Sequence, residues 1–575
     1  MSHLLSIHKI FHGLSTAFLL LLVACANPVS PTGGPKDTTP PSVTKSVPAN
    51  QSVNFNADKV ILTFDEFVTL KDVSTQLVVS PPMAEQPEFT TRGKNLIMKF
   101  KEELRTNTTY NFFFANAIVD LTESNPLAGY QFTFSTGPIL DSLTIGGKLL
   151  NAFTNQPVKD AFVMLYDTVY DSVPYKTRPY YLARTGTSGE FNLNNLRDGK
   201  YLMFALTDGN ADYIYNLPSE EIAFADTLIS PGVPDIKPVK PDSLNKDTLK
   251  PELSKLPVYL LRRFKEADSV QKLVRASLSR ENVISVVFKY PVRNPVFEAL
   301  KPALTGNWNI IGHNRTLDTL TLWIPAPGAD SLRMVVADSG YTRDTVELSL
   351  KPRETTSGRN RDKDKAALQP TLGLKQNISG RIKPGRVLII NFTEPVIRVD
   401  FSKIALISDS IPLKPDISFD DSVKTRLSIR YPWKEGKSYL LIINDSTFTG
   451  AFGHCNDSTG IKFSALTEAE TSSLKINADI PVPGIDYIIQ LLGDKEKLIE
   501  QRIINSKTSL NFSYLSPGKY RIKVIYDANR NGRWDTGDYL KKRQPEVVDY
   551  HPKEFELRAN WTLEEDWAIP SPERK

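Results

Sequence analysis

One octet is written twice in this chain, and it restricts the fold more than any other feature. Ile61-Leu62-Thr63-Phe64-Asp65-Glu66-Phe67-Val68 lines up without a gap on Ile389-Ile390-Asn391-Phe392-Thr393-Glu394-Pro395-Val396, and Val286-Val287-Phe288-Lys289-Tyr290-Pro291-Val292 is a weaker third copy. After each comes an apolar strand and then a Tyr-led or Leu-led run: Tyr110 to Phe114, Leu332 to Val336, Tyr439 to Ile443. The runs alternate with period two, so that one face of each strand can be buried while the other meets solvent or a second layer. A repeat of domain length, far longer than the roughly 20–50 residues of a solenoid unit, predicts separate sandwiches in series.

Composition agrees. Forty prolines against six methionines, with 28 Phe and 21 Tyr, favour strands and turns over helices. At 575 residues the chain is too long for one core, and about 150 residues per domain is the usual size. A net charge of +5 with no Lys/Arg stripe leaves no electrostatic footprint for nucleic acid. Only two cysteines are present, so cores and not disulfides must hold the folded parts together.

The segment 42–137, entered through Pro40-Pro41-Ser42-Val43, carries Ser46-Val47-Pro48-Ala49-Asn50 and the octet from Ile61. With these residues it resembles the SbsA-type bacterial Ig-like domain that opens many cell-surface lipoproteins of the Bacteroidota type. A different unit follows at 141–229, with Leu143-Thr144-Ile145-Gly146-Gly147-Lys148-Leu149, Pro157 to Tyr166, Thr187-Ser188-Gly189-Glu190-Phe191 and Leu196-Arg197-Asp198-Gly199-Lys200-Tyr201. It is similar to the carboxypeptidase-regulatory or prealbumin-like sandwich. The C-terminal region repeats it: Leu515-Ser516-Pro517-Gly518-Lys519-Tyr520 aligns with Leu196 to Tyr201, and Asp527 and Asn529 fall on Asp208 and Asn210 at the same offset.

The fold class expected is all-β, a series of antiparallel Ig-like and prealbumin-like sandwiches joined by Pro-rich linkers. The expected order is signal peptide 1–24, lipidated Cys25 and tether 25–41, Ig-like domain 42–137, prealbumin-like domain 141–229, Pro-rich linker 230–255, Ig-like domain 256–350, charged linker 351–369, Ig-like domain 370–467 and prealbumin-like domain 468–575.

Compartment is read from Leu22-Val23-Ala24-Cys25, which looks like a bacterial lipobox. A weakly basic start and an apolar run from Leu14 precede it, and the run is too short to span a bilayer comfortably. In bacterial lipoproteins the cysteine is acylated and becomes residue one, so Cys25 is the expected lipidation site and the membrane is the partner reached through it. Two or three acyl chains make a lasting anchor where one alone is marginal. Ala26-Asn27 lacks the Asp that retains many Gram-negative lipoproteins at the inner membrane, so the outer membrane is expected, with its face open.

Catalysis finds little support. His3, His8 and His12 leave with the signal, while His313, His454 and His551 are spread over three domains, and neither HExxH, GxSxG, a phosphate loop nor CxxC occurs. His454 and Cys455 are neighbours, which in a strand face opposite ways. The expectation is therefore a non-catalytic protein that displays its modules to an envelope protein or glycan. The alternative is an enzyme or accessory acting on envelope or extracellular glycans, with Trp323, Trp433 or Trp534 as sugar platforms.

One constellation invites a ligand. From Asp527 to Asp538 oxygen-bearing side chains fall at Asp527, Asn529, Asn531, Asp535 and Asp538, with Gly532 at the sixth position, the register of a Ca²⁺ loop. Asn531-Gly532 is equally the strongest two-residue hairpin signal. Ca²⁺ and a tight turn both remain open at this point, and the earlier copy, Asp208 to Asp212, stops short of the later ligands.

Overall fold

A computed structural model describes residues 36–233, 258–267, 270–338, 343–351 and 371–572. The signal peptide, Cys25, the first part of the tether, nearly all of the Pro-rich linker and the charged linker lie outside the described residues. The fold is all-β, with Val73–Gln76 and Val173–Lys176 as single-turn α-helices among the described residues. These residues group into two compact units, one running to Arg263 without 151–156, the other comprising Asn151–Gln156 and everything from Phe264.

In the first unit the octet strand Lys59–Phe64 sits inside a sheet ordered Val43–Val47, Lys59–Phe64, Asn95–Lys99, Glu88–Arg92. Its period-two pattern sends Val60, Leu62 and Phe64 inward, where they share a core with Phe112, Phe132 and Phe134 of the sheet Val78–Ser80, Thr109–Phe113, Gln131–Ser135. Each buried Phe of this kind contributes roughly 1.5–3 kcal/mol. Asp65, the polar residue after the strand, accepts from Ser42 N–H (2.8 Å) and Oγ (2.6 Å), tying down the start of the domain.

The prealbumin-like part follows, with one sheet of Tyr181–Arg184, Phe162–Tyr166, Leu202–Thr207 and Glu221–Phe224. The other sheet is Glu190–Leu196, Leu143–Asn151 and Val258–Arg263. The last strand corrects the expected boundary. Val258–Arg263 was assigned by sequence to the second Ig-like domain, yet Leu261 is buried in this core with Ile145 and Phe191. Gly147 explains the fit, because a Cβ there would strike the carbonyl oxygen of Tyr259 and the ring of Phe191. Gly232 also belongs to this fold, exchanging both backbone hydrogen bonds with Thr144 (2.9 and 3.0 Å), so the expected linker loses residues at its N-terminal end.

In the second unit, Leu273–Arg280, Val283–Phe288, Thr319–Trp323 and Ile310–His313 form one sheet around a core shared with Val296–Lys301, Ser331–Ala337 and Asp344–Ser349. The next sandwich holds the second octet copy on Leu388–Phe392, with Ile390 and Phe392 buried as Leu62 and Phe64 are. The C-terminal sandwich pairs Thr508–Leu515, Ser472–Asp479 and Trp561–Ala568 in one sheet, and Leu498–Ile504, Asp486–Leu492, Gly518–Asp527 and Val548–Tyr550 in the other. Its last strand runs parallel to Ser472–Asp479, as does Arg381–Ile382 to Thr459–Ala465, so the sandwiches are predominantly and not wholly antiparallel. Trp561–Ala568 holds the same place in its sheet order as Val258–Arg263 does in the first prealbumin-like copy.

The repeated Tyr motif has a local cause. Tyr201 Oη donates to the carbonyl of Arg197 (2.9 Å) and Tyr520 Oη to that of Ser516 (2.7 Å), closing the same turn in both copies. Tyr110 and Tyr439 do related work in the Ig-like copies, accepting from the N–H of Arg105 and Lys434 at 2.9 and 2.8 Å.

Candidate functional site

Strand Gly518–Asp527 delivers Asp527 fully buried at the mouth of the C-terminal sandwich's long loop. Asp527 Oδ1 accepts from the N–H of Asn531 (3.1 Å) and Oδ2 from that of Gly532 (2.7 Å). Asn529 Oδ1 accepts from Asn531 N–H (3.1 Å), Asn531 Oδ1 from Arg533 N–H (3.0 Å), and Asp535 Oδ2 receives the side-chain amides of Asn529 and, at 2.6 Å, Asn531. The structure therefore brings Asp527, Asn529, Asn531 and Asp535 into one ring.

Asp538 does not join it. Its carboxylate accepts from the backbone N–H (3.1 Å) and ammonium (2.7 Å) of Lys541, and that side chain holds its pKa below the usual carboxylate value. Neighbouring groups pin this stretch: Thr536 Oγ1 donates to the carbonyl of Lys265 and Tyr539 N–H to Glu266, both at 2.6 Å.

A residue absent from the sequence reading closes the ring instead. Glu546, 8% exposed, accepts from Ala528 N–H (2.9 Å) and Asp535 N–H (3.0 Å) with its two oxygens. Burial raises its pKa; the two N–H bonds oppose that shift, and the charges of Asp527 and Asp535 add to it. Nor is Asn531-Gly532 a two-residue hairpin. Positive φ falls on Arg530 (61°) and Gly532 (76°), not on both central residues, and the chain does not re-enter the sheet until Val548.

The earlier copy is more complete than its sequence suggests. Asp208 accepts from the N–H groups of Asn210, Ala211 and Tyr213 at 3.0, 2.7 and 2.7 Å, and Asp212 Oδ2 from the amides of Asn210 and Asn216 at 2.8 and 2.6 Å. Glu220, 2% exposed, clamps Gly209 N–H (3.2 Å) and Asn216 N–H (2.9 Å), the counterparts of Ala528 and Asp535. Both glutamates stand just before an apolar strand start, Glu220 before Ile222-Ala223 and Glu546 before Val547-Val548. That is the signal by which the sequence could have found them.

Chemically, each loop is a ring of carboxylate and amide oxygens shaped by its own N–H donors. Among the described residues no three His, Cys, Asp or Glu side chains converge as a metal centre would require.

His454 Nδ1 lies 2.8 Å from Glu394 Oε1, and Cys455 Sγ lies 3.7 Å from Thr449 Oγ1, so the two neighbours take separate partners. Trp323 and Trp433 are buried and 3–6% exposed, with their indole N–H groups on the carbonyls of Thr393 and Arg386, which removes them as sugar platforms. Trp534 is half-buried and donates to the carbonyl of Glu546 at 2.9 Å.

No curated protein matches the sequence. Among solved structures, the S-layer protein SbsC is 10% identical over 87% of this chain and 67% of its own, with a TM-score of 0.13. The TIE protein of Bacillus anthracis is 9% identical over 93% and 76%, and the major pilin subunit BcpA of Bacillus cereus 9% over 74% and 99%, both with a TM-score of 0.13. Likeness at this level bears on neither fold nor task. Residues 37–136 match the family model of the bacterial Ig-like domain, the segment that holds the first octet.

Proposed function

We propose that this chain is a lipid-anchored protein of the cell envelope that displays β-sandwich modules for binding or structural work and does no catalysis. The observation that carries the reading is architectural. Five separate apolar cores follow one another along the described chain, each closed between its own sheets, and the first lies within the bacterial Ig-like match. A series of such modules suits binding or structural work, although the fold alone does not name a ligand. Anchoring rests on the Leu22 to Cys25 motif, and outer-membrane residence on the lack of Asp in Ala26-Asn27. In a density gradient the wild-type protein is expected with the outer membrane and Cys25→Ser outside every membrane fraction; a mutant still in the membrane overturns the anchor.

The reading extends to Ca²⁺ at the Asp527 loop, with Asp527, Asn529, Asn531 and Asp535 as ligands and Asp538 as the member that must move to join them. A second role, holding an envelope or extracellular glycan, is favoured by a cleft in the first unit.

A further inference from the structure

We propose that this cleft binds an uncharged glycan; the proposal deepens the binding role given above by naming site and ligand class. Its volume is about 460 Å³, within the range of small-ligand sites. One wall is a face of the first Ig-like sandwich, where Gln76 ends the single-turn helix, Val78 and Ser80 alternate along the strand after it, Asn111 and Phe113 stand on the next strand and Gln131 on the third. The other wall comes from Tyr181–Arg184 and Glu190–Leu196 of the prealbumin-like sandwich, both in the same unit.

The lining selects against ions. Lys159 and Arg184 are matched by Asp160 and Glu190; Arg184 lies 3.6 Å from Asp160, and Glu190 takes the hydroxyl of Ser188. What remains is a set of side-chain amides, those of Gln76, Asn111, Asn116, Gln131, Asn192 and Asn194. Each amide offers a donor and an acceptor in one plane, which suits adjacent sugar hydroxyls that both give and take. Val78, Phe113 and Leu182 supply an apolar patch for the C–H face of a pyranose ring.

One atom asks for a partner. Asn195 Nδ2 is held by the carbonyl of Asp141 (3.0 Å), so its Oδ1 must accept from Asn111 Nδ2 (3.3 Å). That fixes the Asn111 amide and leaves its Oδ1 buried with no donor, on a residue 8% exposed. A buried acceptor without a donor is costly, and this one belongs to a residue that lines the cleft. An added peptide strand fits less well. The edge of Tyr181–Arg184 is already closed by side chains, with Leu182 N–H on Ser80 Oγ (3.1 Å) and Arg184 on the carbonyl of Thr75.

The test is calorimetric titration of the full chain carrying Cys25→Ser with neutral oligosaccharides (malto-, cello-, xylo- and manno-hexaose), an oligogalacturonate and an unstructured hexapeptide. The expected result is one site for a neutral oligosaccharide, weakened about tenfold or more by Asn111→Leu and by Gln131→Ala. Gln131 is half-buried on the wall, so its variant reads the cleft even should Asn111→Leu fail to fold. Silence from every neutral sugar at millimolar ligand, tighter binding of the acidic sugar or the peptide, or neutral-sugar binding untouched by both variants overturns the proposal. Each of these leaves the anchored-display reading intact, since that is read by membrane fractionation.

Discussion

Lys523 sits on the long strand of the C-terminal sandwich at the position that Phe204 fills in the earlier copy, and only 3% of it is exposed. Burial pushes its pKa down to about 8 from 10.5, while Glu496 pulls slightly the other way. Between about pH 8 and 10.5 the unfolded chain therefore binds a proton that the folded chain does not, and stability rises with pH across that window. Thermal melts of the full chain should show the C-terminal transition moving up from pH 7.5 to pH 9.5, and Lys523→Met should raise it at pH 7.5 and flatten the rise. A wild-type transition that falls over this interval contradicts the assignment. Ca²⁺ is a second residue-scale question. Millimolar Ca²⁺ should raise the same transition, by about 1.4 kcal/mol of stability at ten times the dissociation constant, with Mg²⁺ less effective because it wants a smaller octahedral cage. Asp527→Ala with Asp535→Ala should abolish the shift; identical melting of wild type in Ca²⁺ and in chelator leaves the loop as a hydrogen-bonded turn.

At the scale of elements, the strand Val258–Arg263 is the most informative piece, because it returns to its sheet after the Pro-rich stretch. Limited proteolysis should cut first in 234–257 and 352–370, whose proline and charge leave no apolar period to pack. After a cut in the first stretch alone, the two fragments should still elute together, held by Leu261 and its neighbours in the core. Leu261→Asp should let them separate, since a charge has no partner there; fragments that part in the wild type show that the strand does not hold. This element also marks where the sequence stopped being legible. The octets and the Leu-x-x-Gly-x-Tyr turns were readable because their causes are local: period-two burial of Leu62 and Phe64, and a Tyr hydroxyl four residues from its carbonyl. Pairing across a proline-rich insertion leaves no such trace. Glu220 and Glu546 escaped for a similar reason, because loops of unequal length carry them to equivalent places. Trp323 and Trp433 misled because an aromatic suited to stacking on sugar is equally suited to filling a core.

For the whole molecule, the proposed display role joins five cores to a stretch rich in Pro, Gly and Thr between Ala26 and Pro41, a composition that suits a spacer. The proposed acylation of Cys25 is the attachment on which that role depends. The measurement that meets it directly is metabolic labelling with radioactive palmitate, comparing wild type with Cys25→Ser in the native host. The account predicts label on the wild-type protein and none on the mutant, which should be found outside the membranes; equal label on both contradicts it.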